Sequence, residues 1–182
     1  MRCFIAVDTV TPRLVNVANQ IKELLVSHRV KASYQNPNTL HITIKFLGEI
    51  PDNMLDDIVE VLKRIHIRKF SINIRGLGGF PNLRAPRVLF FNVIETNELN
   101  ELFRFIEREL VKLGFPRETR EFKPHITIAR IKSRLGFTTK LYESLKNIDI
   151  REEILIGDIK LKESILYPHG AVYRDIFVHE LR

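Results

Sequence analysis

The chain has 182 residues, of which 45% are hydrophobic, and a formal net charge of +7. No apolar run approaches the roughly 20 residues that cross a bilayer, and the single cysteine, Cys3, excludes an intramolecular disulfide and a cysteine-rich zinc site. The N-terminal residues lack the apolar stretch of a signal peptide, so a cytoplasmic protein without membrane contact is expected. The positive charge is typical of proteins that bind a polyanion such as RNA, although general solubility explains it equally well.

Apolar periodicity predicts alternating strands and helices in the first half of the chain. Thr11 can cap the first helix, and Pro12 suits its first position because proline has no amide hydrogen to leave unpaired there. The predicted elements are a strand over 2–8, a helix over 12–28, a strand over 39–47 after a polar stretch, a helix capped by Asp52, a strand over 69–75 and a loop over 76–86.

The second half repeats this order. Its predicted elements are a strand over 87–94, a helix capped by Asn97 and ended by Gly114, a strand over 122–131, a short helix near 138–147 and strands near 153–166 and 172–181. The repetition predicts an α+β fold of two duplicated strand-helix-strand-helix-strand lobes, related by an approximate two-fold axis. Mainly antiparallel sheets are expected. We expect one bilobal domain over 1–182 with approximate lobes 1–86 and 87–182, between which strands can exchange.

One tetrapeptide, His-Ile-Thr-Ile, occurs twice, at 41–44 and at 125–128. Its β-branched residues favour a strand. Residues i and i+2 of a strand share a face, so each copy places one imidazole beside one hydroxyl. The histidines are 84 residues apart, at equivalent positions of the two halves. We therefore expect the two copies to form one site.

Two such pairs suit acid–base chemistry at a phosphate. A neutral imidazole accepts a proton near pH 7 and an imidazolium donates one, while the hydroxyls of Thr43 and Thr127 can stabilise charge on phosphate oxygens. No serine or cysteine lies in the motifs, so water or a substrate hydroxyl is the expected nucleophile. Zinc chemistry usually needs a third protein ligand, which the motifs do not offer. Neither a metal nor a cofactor is predicted.

Four further residues are candidates for substrate binding. Arg130 would face away from His125 in a regular strand, but a bulge could turn its guanidinium towards a phosphate. Lys45 lies four residues after His41 and is expected on the same face. The aromatic rings of Phe46 and Tyr167 could stack on an RNA base.

Four segments carry a family resemblance: RCFIAVD, LHITIKFLGEI, APRVLFFNV and FKPHITIARI. With them the chain resembles the two-histidine phosphoesterase superfamily and, within it, the bacterial and archaeal 2′-5′ RNA ligase-like proteins, also called RNA 2′,3′-cyclic phosphodiesterases. The resemblance implies a bilobal fold with a central cleft and metal-independent opening of a 2′,3′-cyclic phosphate end to a 2′-phosphate. It also implies that His41 is the proton donor and His125 the proton acceptor, roles that the identical motifs do not distinguish.

The alternatives share the same site. Related proteins join RNA ends through a 2′-5′ linkage, in which a 5′-hydroxyl replaces water as the nucleophile. A module that binds RNA ends without turnover is the third interpretation. The expected partner in each case is RNA with a 2′,3′-cyclic phosphate end, such as a tRNA fragment, bound by a monomeric protein.

Overall fold

Nine strands and four helices form the fold, which a computed structural model describes over residues 1–182. The strands are β1 (Arg2–Asp8), β2 (Ala32–Tyr34), β3 (His41–Glu49), β4 (Phe70–Phe80), β5 (Val88–Val93), β6 (His125–Ile131), β7 (Arg151–Ile156), β8 (Asp158–Tyr167) and β9 (Gly170–Glu180). The helices are α1 (Pro12–Ser27), α2 (Leu55–Lys63), α3 (Asn97–Lys112) and α4 (Thr139–Lys146). None of the four has the length and apolarity needed to cross a membrane.

All nine strands belong to one antiparallel sheet, in the order β7-β4-β5-β6-β3-β1-β8-β9, with β2 paired to β6. The predictions of an α+β fold and of antiparallel pairing are confirmed. The two motif strands, β3 and β6, are neighbours at the centre of the sheet and share a single residue pair, Ile42 with Ile126. The sheet therefore consists of two halves that meet where the histidines lie: β3, β1, β8 and β9 form one half, and β6, β5, β4 and β7 form the other, to which β2 is added at β6.

The order of the strands in the sheet differs from their order along the chain. Strand β4 comes from the first half of the sequence, but it pairs with β5 and β7 of the second half. Strands β8 and β9 come from the second half and extend the β1 side of the sheet. A single core cluster of 40 buried residues draws on both halves. Because each half of the sheet contains strands from both halves of the sequence, neither sequence half can form its half-sheet alone.

The helix starts show which caps the sequence predicted well. Thr11 caps α1 through a 3.1 Å hydrogen bond from Leu14 N, as expected. For α3 the cap is Thr96 rather than Asn97, with Leu99 N donating to its hydroxyl at 3.1 Å. The prediction for Asp52 is also wrong, because a 3₁₀ turn (Asp52–Met54) precedes α2 and no side chain caps that helix.

Three strand predictions also need correction. The segment 153–166 is two strands separated at Gly157, because β7 pairs with β4 and β8 pairs with β1 in the other half of the sheet. The first five residues of the predicted loop 76–86 belong to β4. Gly78 lies opposite Phe90 there, and a Cβ on Gly78 would lie 2.6 Å from the Phe90 ring. The polar stretch before the first motif contains the short strand β2.

Candidate active site

The four motif side chains lie on one face of the sheet where β3 meets β6. Ile42 and Ile126 are fully buried on the core side, while the histidines and threonines of both motifs are half-buried on the opposite face. In an antiparallel pair, the residue before one partner lies beside the residue after the other. The Ile42–Ile126 pairing therefore brings His41 towards Thr127 and His125 towards Thr43, so each hydroxyl neighbours the imidazole of the other motif.

Both imidazoles are held in the same way. His41 Nδ1 lies 2.7 Å from the carbonyl oxygen of Thr39, and His125 Nδ1 lies 2.8 Å from that of Lys123. A carbonyl oxygen can only accept, so in each ring Nδ1 carries the hydrogen in this hydrogen bond. The other nitrogen, Nε2, is then free for proton transfer in both rings.

A β-bulge in each motif strand decides which later residues share the histidine face. In β3, Thr43 pairs with Ala6 and Lys45 with Ile5, so one extra residue lies between them. In β6 the same shift occurs between Thr127 and Ala129. An extra residue reverses the alternation of the strand. The fifth residue after each histidine, Phe46 in β3 and Arg130 in β6, therefore returns to the site face.

Phe46 and Arg130 both lie on the site face, and their binding roles stay predictions. The Phe46 ring is 67% exposed, and its centroid lies 6.2 Å from that of Phe4, which in turn contacts His41. Arg130 is exposed, and its positive charge acts on His125. The sequence indicated that Arg130 would need a bulge to reach the site, but only the strand register shows that the bulge is present.

The predicted position of Lys45 is wrong. The bulge turns its side chain into the protein, where Nζ lies 2.6 Å from Glu107 Oε1 and donates to the carbonyl oxygen of Pro116 at 2.8 Å. Only 9% of Lys45 is exposed. A side chain used in this way cannot also contact a phosphate at the site, so the substrate-binding role does not fit.

Tyr167 does not fit its predicted role either. It lies at the turn between β8 and β9, where its ring stacks on His169 with centroids 5.4 Å apart. Alternation along β8 places it on the face opposite Lys162, which faces the site beside Phe4. The neighbouring strand instead supplies Tyr173 to the site.

Aromatic rings enclose both histidines. Phe4 and Tyr173 lie 5.1 and 5.3 Å from the His41 ring, with Tyr173 edge-on. His125 has Phe80 and Phe90 at 4.9 and 5.1 Å. The sequence analysis did not identify Phe4, Tyr173 and Phe90 as site residues, because the pattern of a strand does not distinguish an aromatic residue that faces the core from one that faces a site.

Tyr173 also orients His41 through a chain of hydrogen bonds. Its hydroxyl donates to Gln35 Oε1 at 3.2 Å, and Gln35 Nε2 donates to Thr39 Oγ1 at 2.9 Å. The backbone carbonyl of Thr39 is the acceptor that fixes the His41 ring. The polar stretch before the first motif thus positions the imidazole.

A ring of four charged side chains lies beside His41. Lys160 Nζ is 2.6 Å from Asp8 Oδ2 and 3.2 Å from Asp175 Oδ2, while Lys162 Nζ is 3.0 Å from Asp8 Oδ1 and 2.7 Å from Asp175 Oδ1. Asp8 is in register with His41. The sequence analysis did not identify this ring. The signal that could have revealed it is Asp8, the acidic residue at the end of the first strand.

The ion pairs within this ring shift the pKa values of Lys160 and Asp175. Burial lowers the pKa of Lys160, but its hydrogen bonds and charge interactions with Asp8 and Asp175 outweigh that effect and raise the pKa. Burial raises the pKa of Asp175, and the bonds from the two lysines outweigh it and lower the pKa. Lys160 therefore stays charged near His41 at neutral pH.

The two histidines differ in their charged neighbours. Burial is the main reason why the pKa of both is lowered, and the carbonyl hydrogen bonds of the rings partly oppose it. At His41 the charge of Lys162 lowers the pKa further, but the Asp8 carboxylate raises it. At His125 the added charge is that of Arg130, which lowers the pKa, and no carboxylate offsets it. The identical motifs thus have unequal electrostatic surroundings.

Paired His-x-Thr motifs on adjacent central strands of an antiparallel sheet define a two-histidine phosphoesterase. The chain belongs to the family described as LigT-like phosphoesterases, whose model matches residues 5–90 and 94–173. This confirms the resemblance found in the sequence.

Curated relatives and solved structures agree with this placement. The chain is 37% identical to the RNA 2′,3′-cyclic phosphodiesterase of Archaeoglobus fulgidus, over 99% of this chain and 100% of the relative. It is 33% identical to the Thermotoga maritima protein of the same name, over 97% and 94% of the two chains. The crystal structure of TT0787 from Thermus thermophilus superposes with a TM-score of 0.80 at 27% identity, covering 100% of this chain and 98% of that one. E. coli LigT complexed with 3′-AMP shares the fold, with a TM-score of 0.74 at 20% identity over 99% and 97% of the chains.

Proposed function

We propose that this protein is an RNA 2′,3′-cyclic phosphodiesterase that opens the cyclic phosphate to a 2′-phosphate without a metal ion. The observation that carries the proposal is the pair of motifs on adjacent strands, which leaves Nε2 of both His41 and His125 free. The full-length relatives named RNA 2′,3′-cyclic phosphodiesterase support the substrate class. The two half-sheets, which diverge from one shared residue pair, are the walls of the proposed cleft in a single bilobal domain.

The proposed reaction is the addition of one water molecule across the P–O3′ bond. His125 Nε2 takes a proton from water as the water oxygen bonds to phosphorus, and His41 Nε2 gives a proton to the departing O3′. Thr43 and Thr127 donate hydrogen bonds to the non-bridging oxygens, where negative charge increases. Arg130 binds the same phosphate, and Phe46 stacks on the terminal base.

The electrostatic surroundings support the base role of His125, whereas the acid role of His41 rests on the family resemblance. At His41 the Asp8 carboxylate favours the protonated form, but the positive charge of Lys162 opposes it with a larger effect. The base must begin neutral, which the Arg130 charge near His125 favours. Environment can assign opposite roles to two groups of the same kind.

End-group analysis of one defined RNA tests the proposed function. An oligoribonucleotide with a 2′,3′-cyclic phosphate end should be converted to a 2′-phosphate, at the same rate after exhaustive chelation. A 3′-phosphate product would contradict the proposed bond cleavage, and loss of turnover on chelation would contradict metal independence. A fragment with a 5′-hydroxyl, added in a second reaction, should give no joined product; a 2′-5′ linked product would show that the site is a ligase.

The pH profile tests the electrostatic assignment. Because burial lowers the pKa of both histidines, the bell-shaped profile of kcat/KM should be centred below about pH 6.5, the ordinary histidine pKa. Replacing Arg130 by glutamine removes a charge that lowers the pKa of His125, so the acidic limb should move to higher pH. The control is Arg68→Gln, which removes an exposed charge outside the site. If the alkaline limb moves instead, the pKa of His125 is the higher of the two histidine pKa values, which contradicts the proposed order.

A further inference from the structure

Charge is distributed very unevenly along this chain. Residues 24–48, 61–94 and 122–142 contain 15 of its 29 Lys and Arg residues and none of its 22 Asp and Glu residues. The first and third of these segments carry the two motifs. The two motif segments therefore contain no carboxylates of their own, although Lys45 in the first of them pairs with Glu107 of α3.

The first and third segments meet at the end of β6. Strand β2 pairs with β6 so that Ser33 lies opposite Arg130, and beyond that pair Lys132 N donates to the Lys31 carbonyl oxygen at 2.8 Å. Alternation places Lys31 on the same face as Ser33, and Lys132 on the same face as Arg130. Because the β6 bulge has turned Arg130 to the histidine face, the two lysines extend that face away from the catalytic groups.

A tight turn adds two more cations. Gly136 has a φ of 84°, and a Cβ there would collide with the His28 carbonyl oxygen and lie 3.2 Å from the Arg29 carbonyl carbon. The turn that carries Arg134 is therefore packed against Arg29 at the end of α1. We name this surface the basic platform; its residues are Arg29, Lys31, Arg130, Lys132 and Arg134.

The cations of the basic platform are available to a ligand. All five are exposed, and none forms an ion pair with a carboxylate within 4.0 Å. By contrast, both lysines of the ring beside His41 are neutralised by aspartates. The five residues are spread over two adjacent backbone segments, 29–31 and 130–134, which suits a chain of phosphates better than a single small anion.

We propose that the basic platform binds the phosphodiester backbone of the single-stranded RNA that leads to the cyclic phosphate end. Lys132 lies seven residues from His125, about 23 Å along an extended strand, so it would contact phosphates several nucleotides before the end. Cations that neutralise phosphates release counterions and make binding salt-dependent. This inference deepens the proposed function and rests on it for the identity of the RNA end.

The test compares a long and a minimal substrate. The platform variant is Lys31→Gln/Lys132→Gln/Arg134→Gln, which leaves Arg130 in place. Its kcat/KM on an eight-nucleotide RNA with a 2′,3′-cyclic phosphate end should fall about tenfold. The slope of log kcat/KM against log salt concentration should become less steep by about 2, because each of the three lost phosphate contacts contributes roughly 0.7. On a 2′,3′-cyclic mononucleotide, which has no backbone to bind, kcat/KM should change less than twofold.

The matched control is Arg68→Gln/Arg104→Gln/Arg182→Gln, which removes the same charge from three exposed, unpaired arginines elsewhere. It should behave as wild type on both substrates. An equal loss on both substrates in the platform variant, or the same loss on the long substrate in the control, would overturn the proposal.

A binding measurement separates this proposal from the proposed function. Fluorescence anisotropy with an eight-nucleotide RNA that ends in a plain 3′-hydroxyl requires no turnover. Weaker binding by the platform variant supports the platform even if the protein opens no cyclic phosphate. Equal binding by wild type and variant overturns the platform, even if cyclic phosphate ends are hydrolysed as proposed.

Discussion

Alanine in place of His41 or His125 is expected to lower kcat on an RNA 2′,3′-cyclic phosphate end by about 10² to 10⁴-fold, the usual contribution of a general acid or base. Each ring packs against two aromatic side chains but remains half-buried, so its removal should leave the fold intact. Single-turnover kinetics with the oligoribonucleotide measures the effect on the chemical step.

Two controls make this result decisive. His66→Ala changes an exposed histidine outside the site and should keep wild-type turnover. Thermal unfolding of all three variants shows whether a loss of turnover follows from a loss of structure. If a folded His41→Ala or His125→Ala variant turns over at the wild-type rate, the proposed acid–base pair is wrong.

Lys45→Met is expected to destabilise the protein by about 3 to 5 kcal/mol, because it leaves the carboxylate of Glu107 buried without a positive charge to pair with. Both side chains of the pair are about 10% exposed, and Nζ and Oε1 are 2.6 Å apart. Lys45 also donates to the Pro116 carbonyl oxygen, and Glu107 Oε2 accepts from Glu118 N at 2.9 Å. The pair thus joins β3 to the loop that precedes His125. Urea unfolding measures the change.

The matched variant is Lys45→Met/Glu107→Gln, which removes both charges and keeps an oxygen to accept from Glu118 N. It should be more stable than Lys45→Met alone, since no buried charge is left unpaired. A cost below about 1 kcal/mol for the single change would instead mean that water reaches the Glu107 carboxylate, as in an exposed ion pair.

Much of the local structure follows from the sequence because it depends on near neighbours. The apolar spacing of α1 and the cap at Thr11 involve residues within one helix, and both are found as predicted. Side-chain alternation within His41–Ile44 is equally local, so the shared face of His41 and Thr43 could be expected. The predicted starts of α2 and α3 were wrong for different reasons. At α3 the neighbours Thr96 and Asn97 can both cap a helix by pattern, and at α2 the pattern does not reveal the 3₁₀ turn that precedes the helix.

The positions of the other site residues depend on contacts between residues that are far apart in the chain. Lys45 and Arg130 illustrate this, since a regular strand would direct Lys45 to the site and Arg130 away from it. The bulges reverse both positions, and a bulge exists only relative to a partner strand, here β1 for β3 and β5 for β6. Tyr173 and the ring that contains Asp8 and Lys162 reach His41 through strand pairing across most of the chain. No local pattern encodes such pairings.

By itself, the sequence determined that two identical His-x-Thr pairs lie on strands at equivalent positions of a repeated α+β pattern. It also placed the chain in its family, because motif spacing and strand propensity are read directly from residue order. Only the tertiary structure decided that the two motif strands are adjacent and which later residues share their face. It also decided that His41 lies near both the Lys162 charge and the Asp8 carboxylate, whereas His125 lies near an unopposed arginine. The physical reason is that burial and charge act through space, so two identical tetrapeptides acquire different proton affinities only when the fold surrounds them with different neighbours.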